Sequence, residues 1–395
     1  MRRHRTGHEP PGEPDSPSPN YHRQLRQIVG DLLSRDETGA RSSELHVSAA
    51  SLTNGDLGEL LGAAAREETD HRRRALTRAS RAARFWPEEA GELAGSGRPL
   101  TELRAVGPWI AERIEAWLEA PPAIPEPEET RRGFLTYAEV RRTLDADPAW
   151  EATPHADLQM HTTWSDGSLP LEDMVEAAGS MGRTFVAVTD HSEALAIANG
   201  MTAAELAEQG RVIDAMNRGF EEEGDAFRVL RSMEVDLFPD GSLDMDDESL
   251  GGLDLVLGAF HSELRSKDDQ TERYLAALRQ PRLHVLAHPK ARMYGRRVGL
   301  VADWRRVFAE AAKLGKALEL DATVPRQDLN VELATLAREE GVEWFTIGSD
   351  AHSAPELEVI PFGMAIAVLA GISRERILNY RPLEFVRRWV QGGRA

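Results

Sequence analysis

The sequence predicts an α/β fold: a seven-stranded TIM-like (β/α)7 barrel over residues 151–395, preceded by a small all-α domain over residues 21–120. Three observations predict it. After residue 150, short apolar runs alternate with amphipathic helical stretches, the pattern of parallel strands joined by helical crossovers. Before residue 120, apolar residues recur at helical spacing, with no strand signal and no internal repeat. Between the two lies PPAIPEPEE (121–129), whose four prolines and neighbouring acids mark an extended linker, placed at 121–150.

Taken in order, residues 1–20 are rich in Pro, Gly and Ser, and their early arginines are followed by no apolar stretch. They are expected to form a disordered tail rather than a signal peptide. Leu25, Ile28, Val29, Leu32 and Leu33 open the helical region, and 58–64 and 72–85 continue it. The candidate strands are ADLQMHT, TFVAVTDH, RVLRSMEVDLF, LDLVLGAFH, HVLAHP, ALELDAT and WFTIGSDAH.

Composition narrows the function classes. With 395 residues, 41% of them hydrophobic and 29% charged, the chain has material for a sizeable core. It contains no apolar run of membrane-spanning length, so no membrane partner is expected. The absence of cysteine excludes disulfides and thiolate metal sites; any metal must be held by His, Asp and Glu, which suits a cytoplasmic enzyme. A net charge of −19 argues against nucleic acid, since duplex binding depends on Lys and Arg neutralising phosphates. Local basic clusters at 66–84 (REETDHRRRALTRASRAAR) and 288–297 (HPKARMYGRR) weigh the other way.

The informative polar residues stand at strand ends. His161, His191, Glu234, His261, His288, Asp350 and His352 each lie at or just past the carboxyl end of an apolar run. A parallel barrel gathers those ends on one face, where active sites are built. A single such His is usually a loop or core residue, and a lone Asp-Gly is usually a turn. Five of the 12 histidines in such positions are poorly explained by turns alone. Imidazole and carboxylate without sulfur suit Zn²⁺, Mn²⁺ or Fe²⁺. A cluster of this size implies more than one ion with a bridging carboxylate, and metal-assisted hydrolysis in which the ions hold phosphate oxygens and activate water.

The pieces ADLQMHTTWSDG (156–167), AVTDHS (187–192), SMEVDLFPDG (232–241), GAFHS (258–262), AHPKARMYGRR (287–297) and TIGSDAHS (346–353) carry a resemblance. Over about 155–385 the chain resembles the polymerase and histidinol phosphatase (PHP) family, and most of all the PHP domain of bacterial family X DNA polymerases. That implies a distorted barrel of PHP type with a trinuclear site of two or three divalent ions (Zn, Mn or Fe). The first ion would be held by Gln159, His161, Glu234 and Asp350. Glu234 would bridge to the second, completed by His261 and His288. Asp166, His191 and His352 would hold the third. Glu234, Asp350 and His261 are the expected catalytic residues. The implied activities are trimming of DNA 3′ ends, removal of 3′ phosphates, or cleavage of sugar phosphates. Gln159 stands where the resemblance leads one to expect a histidine; its neutral amide oxygen is a weaker ligand for a borderline metal, so the first site should be weakened.

Arg292, Arg296 and Arg297 follow the His288–Pro289 turn and are candidates for substrate phosphate, because guanidinium forks match phosphate oxygens. DGSLDMDDESL (240–250) fails the calcium-loop spacing and reads as a turn leading into a helix. His155 and His284 read as structural or exposed. Glu319 and Asp321 end a strand but match no ligand of the resembling family, so they are left out of the site.

LTELRAVGPWIAERIEAWL (100–118) resembles the second unit of a helix-hairpin-helix, in which backbone N–H groups at a helix N-terminus meet a DNA phosphate. Gly107, Trp109 and Arg113 are the candidate DNA contacts, although Ala105 stands where a first glycine is usual. Residues 120–155 leave no room for a nucleotidyl-transfer domain, so DNA synthesis is not expected. The leading expectation is a metal-dependent phosphoesterase acting on DNA, as a 3′–5′ exonuclease or 3′-end phosphatase in DNA repair. The alternatives are a small-molecule phosphatase of histidinol-phosphatase type, or a DNA-binding protein catalytically impaired by Gln159.

Overall fold

The computed structural model describes residues 52–150 and 152–392. The expected disordered tail and the helical spacing at 25–33 lie outside the described residues. Helix α1 (Asn54–Glu67) starts on a capping box: the Thr53 hydroxyl accepts the Asp56 N–H, and the Asp56 carboxylate accepts the Thr53 N–H. Helices α2 (Asp70–Ala83), α3 (Ala90–Gly95) and α4 (Pro108–Glu119) follow. Leu57, Leu61, Leu76, Trp86, Leu93 and Ile114 meet in a core formed by this helical region alone.

The expected linker is corrected in part. Residues 121–128 carry no regular structure, but Tyr137–Asp145 forms a helix, α5. Its Tyr137 and Val140 are buried in the barrel's largest apolar cluster, joined by Trp150. The proline-rich start of the segment masked this amphipathic turn, which Thr136 and Glu139 cap as a second box.

Seven strands follow: β1 (Ala156–Met160), β2 (Phe185–Val188), β3 (Arg228–Asp236), β4 (Leu255–Ala259), β5 (Val285–Leu286), β6 (Ala317–Asp321) and β7 (Phe345–Gly348). They pair in sequence order, every pair parallel. The strands are buried on both faces, as helical crossovers require. The sheet nearly closes on itself: β1 and β7 meet through the parallel bridge Met160–Ala351, with the His161 N–H donating to Ala351 O at 2.8 Å. This is the expected distorted (β/α)7 barrel, and it directs the carboxyl ends of all seven strands to one face. No helix among the described residues is long and apolar enough to cross a membrane.

His284 shows how the short strand β5 is held. Its Nδ1 accepts the Val256 N–H at 3.0 Å, and its own N–H donates to Val256 O at 3.0 Å. Burial, then Lys316 and Arg282, hold the imidazole down at about 4. It is therefore neutral when folded, whereas an unfolded His titrates near 6.5. Its stability contribution is complete above pH 6.5 and is lost as pH falls toward 4. Chelator-treated wild type should lose about 3 kcal/mol more unfolding free energy over that window than His284→Gln. Denaturant titrations at pH 7.5 and 4.2 measure the difference.

Candidate metal centre

Strand periodicity builds the centre. Side chains two apart share a face, so β1 and its end deliver Gln159 and His161, β3 delivers Glu234 and Asp236, and β6 delivers Glu319 and Asp321. His191, His261 and His288 follow β2, β4 and β5, while Asp350 and His352 follow β7. Asp166 comes from the loop after β1. Asp190 organises that loop, accepting from the Thr162 N–H, the Thr162 and Ser165 hydroxyls and Gln209 Nε2. His288 and Asp350 hold left-handed backbone, with φ of 26° and 46°, the strain expected where a site over-determines its geometry.

Glu234 is the hub and is fully buried. Its Oε1 lies 2.8 Å from His288 Nε2 and 3.3 Å from His261 Nε2. Its Oε2 lies 3.3 Å from His161 Nε2 and 3.6 Å from His191 Nδ1, and accepts from Gln159 Nε2 at 3.1 Å. His161 Nε2 also stands 3.1 Å from Asp350 Oδ1. Asp166 is 3.2 Å from His352 Nε2 and 3.6 Å from His191 Nε2. The imidazole of His161 stacks against those of both His191 and His352, with centroids at 4.4 and 4.3 Å.

Three sets of donor atoms lie close enough to hold an ion: His161, Glu234 and Asp350; His191, Glu234 and His261; and His161, Asp166, His191 and His352. The first contains three of the four side chains expected for the first ion. The other two differ from the expected grouping, because His191 reaches Glu234 and His161 reaches the Asp166 side. The donor set fits divalent cations: nitrogens and carboxylate oxygens, with Nδ1 of His191, which faces Glu234, buried and without a hydrogen-bond partner.

Electrostatics point the same way. Burial opposes charge on His161, but Asp350 and Glu234 outweigh it and hold the imidazole well above its usual range. His261 is likewise opposed by burial yet lifted to about 9 by Asp236 and Glu234. His191 is pushed down to about 3 by burial, reinforced by His161 and His261. Burial disfavours the charged form of Glu234, but the ring of imidazoles around it, among them the protonated His161 and His261, holds it well below the usual carboxylate range. Protons on imidazoles thus balance the carboxylates where cations would otherwise do so.

The chain is 37% identical over 268 residues to the DNA polymerase/3′-5′ exonuclease PolX of Bacillus subtilis, an alignment covering 68% of this chain and 45% of that protein. Together with the seven-stranded parallel barrel, this similarity identifies a PHP-type barrel in the chain. A probable phosphatase of Yersinia enterocolitica is 27% identical over 250 residues, covering 60% of this chain and 95% of that protein. The solved histidinol phosphate phosphatase of Lactococcus lactis, complexed with zinc, L-histidinol and phosphate, aligns with a TM-score of 0.40 at 15% identity, over 56% of this chain and 95% of that one. No family model matches the chain. The chain matches less than half the length of the polymerase.

The PHP barrel also holds polar residues that the sequence reading missed. Asp236 meets His261 Nδ1 at 3.2 Å, a carboxylate orienting an imidazole from behind. Its two-residue offset from Glu234 was the available signal. Arg326, after β6, places Nη2 3.4 Å from Asp350 Oδ2 and Nε 3.7 Å from Asp321 Oδ2. Glu319 and Asp321, left out from the sequence, are fully buried beside the centre. Burial and their mutual repulsion push the Glu319 carboxyl well up; burial and Asp350 do the same to Asp321.

The three predicted phosphate-binding arginines diverge. Arg292 requires a correction: it is 4% exposed, lies 3.7 Å over the Phe134 ring, and donates from Nη2 to Arg132 O at 2.6 Å. It clamps the segment before α5 onto the barrel. Arg296 is exposed. Arg297 donates from Nε to Ala291 O and borders a cavity of about 600 Å³ that opens beside His261 and is also lined by Arg265, Ser266 and Gln270. In the helical region, Ala105 adopts φ 63°, the conformation a glycine would favour, and Gly107 caps α4 with no side-chain bond, leaving N–H groups at its start. Trp109 lies between the Arg72 and Arg113 guanidinium groups at 5.3 and 5.0 Å, and Arg113 also pairs with Glu68 at 3.7 Å.

Proposed function

We propose that this chain is a metal-dependent hydrolase of phosphoester bonds that acts on DNA ends, as a 3′–5′ exonuclease or 3′-end phosphatase. The observation that carries the hydrolase reading is the convergence of four imidazoles on the buried Glu234 carboxylate, beside an open, arginine-bordered cavity. His161, Glu234 and Asp350 would hold one ion; His191, Asp166, His261, His288 and His352 would complete the others. Bound divalent ions would supply Lewis acidity toward phosphate oxygens and make water a nucleophile near neutral pH. The protein's part is positional. Asp236 and Asp350 O fix the imidazoles of His261 and His352, Arg326 pairs with Asp350, and Arg297 and Arg265 border the cavity.

Two features favour DNA over a small phosphoester. The first is the similarity to a protein named as a 3′-5′ exonuclease. The second is α2, where Arg74, Arg78 and Arg81 are exposed at i, i+4 and i+7 and so share one face, with Arg73 beside them. Arg72, on the opposite side of the same helix, meets Trp109 of the hairpin that also carries Gly107 and Arg113, and a basic stripe on a chain of net charge −19 is where a phosphate backbone would lie. A small-molecule phosphatase is the second reading, supported by the Yersinia relative, whose match spans almost its whole length.

The test is release of nucleotide or phosphate from a 3′-labelled single strand with Mn²⁺, alongside p-nitrophenyl phosphate. We expect cleavage of both, loss of both in His261→Ala, and selective loss of the DNA reaction in Arg74→Ala/Arg78→Ala/Arg81→Ala. The triple variant should also flatten the log Kd against log salt plot by roughly 2 for single strands. DNA cleavage unaffected by the triple variant would move DNA contact elsewhere; no cleavage of either substrate would end the hydrolase reading.

A further inference from the structure

We infer that Glu319 makes Gln159 a metal ligand: it holds the Gln159 amide turned so that Oε1 faces the ion bound by His161, Glu234 and Asp350. The inference rests on reading the strand-end cluster as a metal centre.

Both side chains are fully buried. Gln159 Nε2 donates to Glu234 Oε2 at 3.1 Å, which aims Oε1 away from Glu234. On that other side Oε1 has no hydrogen-bond partner, and neither does Glu319 Oε1. The two oxygens converge on Gly348: a Cβ there would lie 2.7 Å from Gln159 Oε1 and 2.1 Å from Glu319 Oε1. Neither oxygen thus has a hydrogen-bond partner in that region, although an N–H₂ donor stands at the far end of the same amide. Glu319 Oε2 is anchored by the His288 N–H at 2.8 Å, so the carboxylate stays in place.

A cation among His161, Glu234 and Asp350 would repel the Nε2 hydrogens that point toward Glu234. The terminal torsion of glutamine is broad and roughly two-fold, so a half-turn costs little. It would present Oε1 to the cation and bring Nε2 to the unpartnered Glu319 Oε1. One motion then satisfies both orphaned oxygens and completes the donor set. Glu319 is in this sense a positioning residue. It does for an amide what a carboxylate behind an imidazole does for a histidine ligand. Gly348 is part of the device, because any side chain there would occupy the meeting point.

The full-length protein is loaded with Mn²⁺, its bound metal counted by plasma mass spectrometry and its affinities measured by competition with a chelating dye. Wild type, Glu319→Gln, Gln159→His and the double variant are compared. In Glu319→Gln one side-chain oxygen cannot serve both the His288 N–H and Gln159 Nε2. One site should therefore weaken by roughly 10- to 100-fold while the others hold. The double variant should regain that site, since an imidazole needs no turned amide. Wild-type affinity in Glu319→Gln, or a double variant as weak as Glu319→Gln, overturns the inference. A wild type that takes up no metal overturns both this inference and the metal-centre reading; uptake unaffected by Glu319→Gln overturns this inference alone. Should Glu319→Gln not fold, ¹⁵N-glutamine-labelled wild type decides. The Gln159 amide resonances, identified by their absence in Gln159→His, should shift when Zn²⁺ is added, and unmoved resonances overturn the inference.

Discussion

Replacing Glu234 with glutamine is expected to empty the metal centre and to lower phosphoester hydrolysis on the order of 10³-fold or more, as the loss of several kcal/mol of charge stabilisation implies. Two of the three donor sets include Glu234, so a single change removes a ligand from both. Glutamine keeps the shape but offers one oxygen and an N–H₂ group to imidazoles that now approach two anionic oxygens. The metal-free protein should suffer too. Among the groups around it, His161 and His261 are held protonated partly by Glu234, and removing one partner of a buried charge cluster costs about 3–5 kcal/mol. Metal counting and thermal melting with and without chelator separate the effects. Full metal occupancy in Glu234→Gln would show that Glu234 is not the bridge.

The strand ends were legible because two independent patterns coincided there, an apolar run and a His or acid just past it. Parallel topology turns that linear coincidence into a spatial one, which is why His161 and Asp350, far apart in sequence, are 3.1 Å apart in space. Arg292 misled for the opposite reason. Its proximity to His288 in sequence says nothing of direction, and Ala291, in left-handed backbone at φ 53°, redirects the chain so that the guanidinium meets Phe134. Arg326 lay in a turn whose only signal was Pro325, and its role depends on a neighbour, Asp350, supplied by another strand. Glu319 and Asp321 had the same strand-end signal as Glu234. The resemblance offers them no role, yet the fold buries both beside the centre. The helix α5 was hidden by the prolines that precede it, because composition over a window averages away a nine-residue amphipathic turn.

Gly348→Ala should damage folding and the first metal position together. The added methyl would sit 2.1 Å from Glu319 Oε1, 2.7 Å from Gln159 Oε1 and 2.9 Å from Glu319 Cδ, all closer than contact allows. Neither neighbour can step aside easily. Glu319 is tied through Oε2 to the His288 N–H, and the Gln159 carbonyl accepts the Ser349 hydroxyl at 3.0 Å on the adjoining strand. Overpacking of this kind costs about 3 kcal/mol, which in a protein of this size lowers Tm by roughly 4–6 °C. Gly219→Ala is the control. It lies inside a long helix (Ala203–Glu223) where a Cβ meets nothing within 4 Å, so it should stabilise by up to about 1 kcal/mol. Adding Glu319→Ala to Gly348→Ala removes the worst clash and should recover most of the lost Tm, a coupling typical of residues in contact. It should leave metal affinity low, since the acceptor behind Gln159 is then gone. Recovery of both would mean that Glu319 matters here only for its bulk; recovery of neither would place the clash on Gln159 itself.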